Sequence, residues 1–141
     1  MILRALRWLL ILLGGATEAH DFYASVFRDS PDMLIIVSGK YEIVAVNDAA
    51  CEILGYKSWE MTRRPLGLII PERFHHKHRE LFDAYYASPE RRPMAESRAF
   101  LAQRKDGSEL SVSISLSPVK TSAGAYIIAA LRAVSAPGKG A

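Results

Sequence analysis

Three of the chain's four histidines, His75, His76 and His78, stand together in the stretch IPERFHHKHRELFDAYY. Imidazole nitrogens move protons near neutral pH and ligate metal ions and haem iron, so this stretch is the first candidate for chemistry. Helical spacing of 3.6 residues per turn gives one stripe, made of Phe74, His78, Leu81, Phe82 and Tyr85. His75 falls at its edge and His76 on the opposite side. We therefore expect only His78 to face the core, and this separation excludes a zinc site built from all three.

Other combinations of reactive residues give no sign of catalysis. The sequence contains no glycine-rich phosphate loop, no paired carboxylates in a cleft-like setting and no serine, histidine and aspartate that one fold would bring together. The single cysteine, Cys51, excludes an internal disulfide and a cysteine-based zinc site, and it is expected to be a small buried residue in a reducing, cytosolic location. We therefore do not expect an enzyme.

Length and charge restrict the remaining choices. The 141 residues fit one domain of ordinary size, and half of them are hydrophobic, which is enough to form a core. The net charge of +3 is spread along the chain, whereas a nucleic-acid-binding protein usually concentrates its basic residues on one element. Nucleic acid is therefore not an expected partner.

The N-terminal 20 residues combine two arginines with a short apolar run from Trp8 to Leu13. The run has the outline of a signal peptide but is too short to span a membrane, which needs about 20 apolar residues. We interpret residues 1–15 as an apolar interface helix that packs on the domain or on a second copy, with attachment to a membrane surface as a third alternative. Residues 16–135 form the domain, and residues 136–141 are expected to be a disordered tail.

Hydrophobic periodicity and turn residues predict the elements of the first two thirds of the chain. They are a helix over 18–28, strands over 33–37 and 41–46, short helices over 47–56 and 58–61, and a longer helix over 72–86. Asn47 is expected to cap its helix and Gly55 to end it, while Pro71 marks the start of the longer helix.

The last third of the chain reads as β-structure. Asp106-Gly107 is a strong hairpin signal. The following strand alternates strictly, with Leu110, Val112, Ile114 and Leu116 on one face and Ser111, Ser113, Ser115 and Ser117 on the other. We expect the serine face to meet solvent or a partner, and a final apolar strand to cover 125–134. The element order predicts an α+β domain with helices gathered on one face of an antiparallel sheet.

Five segments in this order resemble a PAS domain. They are DSPDMLIIV, VNDAACEILGY before SWEM, PLGLIIPERFHHKH, RKDGSELSVSISLSPV and AYIIAALR, and together they cover about 22–134. The resemblance implies a five-stranded antiparallel sheet of order 2-1-5-4-3 with short helices on one face, to which this chain adds an N-terminal helix. The sequence departs from the family pattern at Arg63, near a usual glycine, at Ser111 and Ser113, and at 133–135, where an exit motif usually stands.

The resemblance also implies a function. PAS domains are signal-sensing modules, common in bacterial two-component sensor kinases, and they dimerise, often through a preceding helix. It therefore implies a homodimer formed through the N-terminal helix, with the effector domain or kinase outside this chain. The expected location is the cytoplasm, or a membrane reached through that helix or a larger parent protein.

Three alternatives for the sensing role stay open. In the first, a small organic molecule binds between the sheet and the long helix. In the second, similarity to oxygen-sensing haem PAS domains implies haem b, with His78 as proximal ligand of the iron and Arg98 on the distal side. The cofactor would contact Phe82, Leu81, Phe100 and Ile114. The alternative to haem ligation is a structural role for His78. In the third, the domain serves only dimerisation, through the first helix and the serine-faced strand.

Overall fold

The computed structural model describes residues 17–94 and 99–134. The predicted interface helix over 1–15, the predicted tail over 136–141 and Arg98 lie outside the described residues. The domain limits given above therefore stay predictions.

Five strands form one antiparallel sheet. They are β1 (Met33–Ser38), β2 (Ile43–Val46), β3 (Phe100–Gln103), β4 (Glu109–Thr121) and β5 (Gly124–Ala133). Their order is β2-β1-β5-β4-β3 and every neighbouring pair is antiparallel. The predicted sheet order is thereby confirmed.

The inner face of the sheet follows from the alternation in β1. Met33, Ile35 and Val37 are buried, and the residues between them are half-buried. Their partners on β5 are Leu131, Ala129 and Ile127. Directly paired residues of an antiparallel sheet point to the same side, so these six side chains form one apolar layer.

Strand β4 extends this layer, and one serine on its other face is buried, contrary to the prediction. Ile114 pairs with Leu131, so the apolar positions of β4 face the core as predicted. The serines take the opposite face, but Ser113 is 0% exposed and its Oγ has no hydrogen-bond partner among the described residues. The prediction of a solvent-exposed serine face is therefore wrong at Ser113, because alternation fixes which side a residue takes and not what covers that side.

The helices are α1 (17–29), α2 (Asp48–Leu54), α3 (Ser58–Met61) and α4 (His75–Ala87), with 3-10 turns at Leu66–Ile69 and Glu72–Phe74. Helix α3 has the predicted limits. Helix α4 begins three residues later than predicted, because Pro71 is followed by the tighter 3-10 turn before the α-helical pattern starts. No helix within 17–94 and 99–134 has the length and apolar character needed to cross a membrane.

Asn47 joins the helical layer to the sheet. Its Oδ1 accepts hydrogen bonds from the backbone N–H groups of Ala50, at 3.1 Å, and Leu34, at 2.9 Å. Its Nδ2 donates to the carbonyl oxygens of Asp32, at 2.9 Å, and Ser30, at 3.4 Å. The predicted helix cap is thereby confirmed, and the same buried amide also holds the start of β1.

A side-chain contact also joins the start of β1 to the end of β5, which lie side by side in the sheet. Asp32, just before β1, accepts two hydrogen bonds of 3.0 Å from the guanidinium of Arg132 near the end of β5. This paired geometry is the strong form of an arginine–carboxylate contact.

Within 17–94 and 99–134, positive φ angles occur at two residues that carry side chains, Tyr41 (65°) and Arg63 (67°). The left-handed region costs about 1–2 kcal/mol for such residues. Arg63 stands near the place where the family pattern has a glycine, and the backbone there has the conformation that glycine adopts most easily.

A candidate ligand site beside Tyr41 and His78

The site centres on a hydrogen bond between the turn that joins β1 to β2 and helix α4. The hydroxyl oxygen of Tyr41 lies 2.7 Å from Nδ1 of His78. The Tyr41 ring is buried although its backbone has a positive φ. A buried contact at a strained residue persists only when its surroundings hold it in place.

Side chains of α4 supply those surroundings. The Phe82 ring meets the Tyr41 ring edge-on at a centroid distance of 4.9 Å, and the Arg79 guanidinium lies 4.7 Å from the Tyr41 centroid. Edge-on aromatic pairs and cation–π contacts each contribute about 0.5–1.5 kcal/mol. His78, Arg79 and Phe82 therefore all contact the Tyr41 side chain, and these contacts offset the energetic cost of its positive φ.

Burial fixes the protonation of both partners. It lowers the pKa of His78, and the nearby His75 lowers it further. Burial raises the pKa of Tyr41, against the opposing effect of Arg79. At neutral pH the pair is therefore a neutral imidazole and a neutral phenol. The described residues offer Nε2 of His78 no hydrogen-bond partner, and the His78 side chain is half-buried.

A groove of about 740 Å³ opens next to this pair. It runs between α4 and the segment that follows α3, and its open side faces solvent. The residues lining it are Tyr41, Arg64, Pro65, Gly67, Leu68, Glu72, His75, His76, Arg79 and Gln103. Tyr41 thus contacts the groove on one side and the core on the other.

The predicted site residues divide into three groups. His78 is half-buried, Phe82 is buried, and Ile114 is half-buried against the core, as expected. Leu81 is 58% exposed, so its predicted place on the core-facing stripe of α4 is wrong, and Phe100 is 48% exposed. Arg98 lies outside the described residues.

The error at Leu81 has a simple geometric cause. The buried side of α4 carries Phe82 and Tyr85, with Tyr86 half-buried, so the helix is rotated away from Leu81 toward Tyr86. The Tyr86 ring packs against Gly39, where an added Cβ would lie 2.4 Å from the ring. The sequence stripe included Phe74 as well, but Phe74 is exposed, because it belongs to the 3-10 turn and not to α4.

Sequence reasoning missed Tyr41, Arg64 and Arg79. Tyr41 was predicted to begin a strand, whereas β2 begins at Ile43. The available signal was the SGK turn before it, which required a tightly bent backbone nearby. No sequence pattern pairs Arg64 with Arg79, since only the path of the chain after α3 brings both to one groove.

A profile of the family described as "PAS domain" matches residues 31–136, which is more than half of the chain. The chain belongs to the PAS domain family. This agrees with the sheet order and with the helices on one face.

Individual relatives are distant. A probable serine/threonine-protein kinase of Dictyostelium discoideum is 23% identical over 93 residues, which are 66% of this chain and 6% of that protein. The PAS domain of an HTR-like protein from Haloarcula marismortui has a TM-score of 0.69 and 24% identity, covering 86% of this chain and 96% of that one. A PAS domain from a two-component sensor histidine kinase has a TM-score of 0.66 and 14% identity, covering 84% and 99%. These structures share the fold with this chain.

This PAS domain has a histidine nitrogen that suits haem iron, but its interior beside α4 lacks the space for haem. Nε2 of His78 has no partner among the described residues, and it has a lone pair for iron in the tautomer whose Nδ1–H donates to the Tyr41 oxygen, as ligating histidines do. The interior on the sheet side of α4, however, is filled by buried side chains, among them Met33, Met61 and Phe82. Two grooves on the described residues are both open to solvent, and His78 is among the lining residues of neither. The described residues also contain no group of three or more histidine, cysteine or acidic side chains placed to hold a metal ion.

Proposed function

We propose that this PAS domain is a signal-sensing module of a bacterial signal-transduction protein and that it binds a small molecule beside α4. The observation that carries the proposal is the hydrogen bond between Tyr41, which lines the groove, and His78 on α4. It joins the β1–β2 turn to the helix that borders the groove. A bound molecule that competes for either partner changes how this turn is held.

The sheet provides a path from that turn to the end of the domain. The turn at 39–42 connects β1 to β2, and β1 pairs along its whole length with β5. A shift of the turn therefore acts on β5, the last strand. We propose that the effector domain or kinase that receives the signal lies outside this chain, that the protein works in the cytoplasm, and that the module itself is not an enzyme.

A thermal-shift screen of small molecules on the purified domain tests the proposal. A ligand of this site should raise the melting temperature of the wild type and lose most of that effect in Tyr41→Phe and His78→Ala. His20→Ala is the matched control, because His20 is exposed on α1. Ligands that act equally on all four proteins, or a screen in which none stabilises the wild type, would contradict the proposal.

Haem sensing is the second candidate, with haem b held by His78 and Arg98 on the distal side. The free Nε2 favours it, and the filled interior beside α4 opposes it. An absorption spectrum after supplying haem decides between them. A Soret band that disappears in His78→Ala but survives in His20→Ala supports haem binding, whereas a spectrum without such a band eliminates it.

Dimerisation is the third candidate, and the exposed apolar side chains of α1 favour it. Phe22 is 64% exposed, Tyr23 71% and Val26 55%, which is unusual for neighbouring apolar residues on one helix. We propose that this helix and the preceding residues 1–15 form a homodimer contact. The mass in solution, measured by light scattering, should fall to that of a monomer after deletion of 1–15 or in the Phe22→Ser, Val26→Ser double variant. An unchanged dimer in both variants counts against the contact.

A further inference from the structure

The charges that line the groove are unequal. Arg64 and Arg79 bring two guanidinium groups to it, and Glu72 brings one carboxylate. Guanidinium groups stay charged at all physiological pH values, so this excess does not depend on titration.

Arg64 has a fixed backbone and a free side chain. Its N–H donates to the carbonyl oxygen of Met61 at 3.0 Å, and its own carbonyl oxygen accepts from Ile43 N–H at 2.9 Å. No hydrogen bond or ion pair within 17–94 and 99–134 engages its guanidinium, although other arginines of the same region are paired with carboxylates. A free guanidinium on a fixed backbone is suited to paired hydrogen bonds with an oxyanion.

Arg79 is held in place on the opposite wall. Its Nε lies 3.2 Å from Asp83 one turn further along α4, while the guanidinium carbon lies over the Tyr41 ring. An anion that contacts Arg79 therefore also lies close to Tyr41. His75 adds no second donor while it is neutral, because its Nε2 already bonds the carbonyl oxygen of Ile70 at 2.7 Å.

We propose that the ligand of this groove is a small organic or inorganic oxyanion, held by Arg64 and Arg79. This inference rests on the proposed sensing function and names the ligand class of that site. It also gives the binding a route to the core, since Arg79 contacts the same ring that bonds His78. Carboxylates and phosphates share this chemistry, and the experiment below separates them.

Isothermal titration calorimetry with succinate, citrate and inorganic phosphate, each at low ionic strength, tests the inference. Arg64→Gln should weaken binding of the preferred probe at least about tenfold, the loss expected for one charge-assisted contact. Glu72→Gln should strengthen it several-fold, because Glu72 is the carboxylate among the described residues that line the groove. Preference for succinate or citrate identifies a carboxylate ligand, and preference for phosphate identifies a phosphate ligand.

Arg91→Gln is the matched control, because it removes the same charge from an exposed position outside the groove. Circular-dichroism melting checks that each variant is folded. Equal weakening in Arg64→Gln and Arg91→Gln would show general charge attraction and overturn the inference, as would a wild type that binds none of the three probes.

The inference and the proposed function fail in different ways. An uncharged ligand that Tyr41→Phe releases and Arg64→Gln does not would keep the sensing function and overturn the oxyanion. A probe that Arg64→Gln releases, while Tyr41→Phe and His78→Ala bind it as the wild type does, would keep the anion site and overturn the sensing contact.

Discussion

Asn47 and Tyr41 both join the sheet to the helical layer, but they do so in opposite ways. Asn47 has ordinary extended backbone angles and makes four hydrogen bonds to backbone groups. Tyr41 has a positive φ and makes one side-chain hydrogen bond, to another side chain. Backbone partners move only when the fold moves, whereas a side-chain partner can be exchanged for a ligand. The difference separates a contact that defines the fold from one that is able to respond.

Asn47→Ala should give the largest change. It removes four hydrogen bonds, one buried and three part-buried, and takes the Asn47 partner from the N–H of Leu34, so we expect a loss of about 2–4 kcal/mol in the free energy of unfolding. Urea unfolding followed by circular dichroism measures it. Glu52→Ala, exposed on α2, is the control and should change the free energy by less than about 0.5 kcal/mol. A loss of less than about 0.5 kcal/mol in Asn47→Ala would contradict the distinction between the Asn47 and Tyr41 contacts.

Tyr41→Phe should have a smaller effect. The ring and its contacts with Phe82 and Arg79 remain, and only the hydroxyl bond to His78 is lost, so we expect about 1 kcal/mol. The same unfolding experiment applies. A loss equal to that of Asn47→Ala would mean that Tyr41 defines the fold just as Asn47 does.

Arg63→Gly tests the cost of a positive φ, the backbone feature that Arg63 shares with Tyr41. It removes the cost of a positive φ at a residue with a side chain, and glycine's greater freedom in the unfolded chain cancels part of the gain. We expect a stabilisation of about 0.5–1 kcal/mol by chemical unfolding. Arg64→Gly, where φ is not positive, should destabilise, and stabilisation of both variants would refute the conformational explanation.

The pH dependence of stability provides the smallest test. Burial lowers the pKa of His78 below its ordinary value of 6.5, so the unfolded chain binds a proton more readily than the folded chain. This contribution to stability is complete above 6.5 and is lost as the pH falls from there toward the folded-state pKa. Melting temperatures between pH 5 and 8 should therefore decline less in His78→Gln than in the wild type or in His20→Gln, and parallel curves for all three proteins would contradict it.

Local rules made most of the fold predictable from sequence. The alternation in β1, the cap at Asn47 and the stop at Gly55 depend on neighbours within a few residues, and the structure has each of them. The PAS resemblance supplied the strand order, which no local rule contains.

The candidate site was less predictable because it depends on contacts between distant segments. The rotation of α4 is set by what Phe82 and Tyr86 meet across the core, so the helical wheel included Leu81 wrongly. Tyr41 and His78 are 37 positions apart, and a hydrogen bond between them leaves no pattern in the sequence. Likewise, the burial of Ser113 depends on what covers that face and not on the alternation of β4.

The ion pair between Asp32 and Arg132 bears on where this domain can be placed within a longer protein. It joins the residue before the first strand to a residue near the end of the last strand, although the two residues are 100 positions apart. The pairing of β1 with β5 begins directly beside this ion pair, at Met33 and Leu131, so a force on one flank reaches the other through the sheet. A unit built this way can be inserted into another protein's loop or repeated along a chain, because its flanking sequences start side by side.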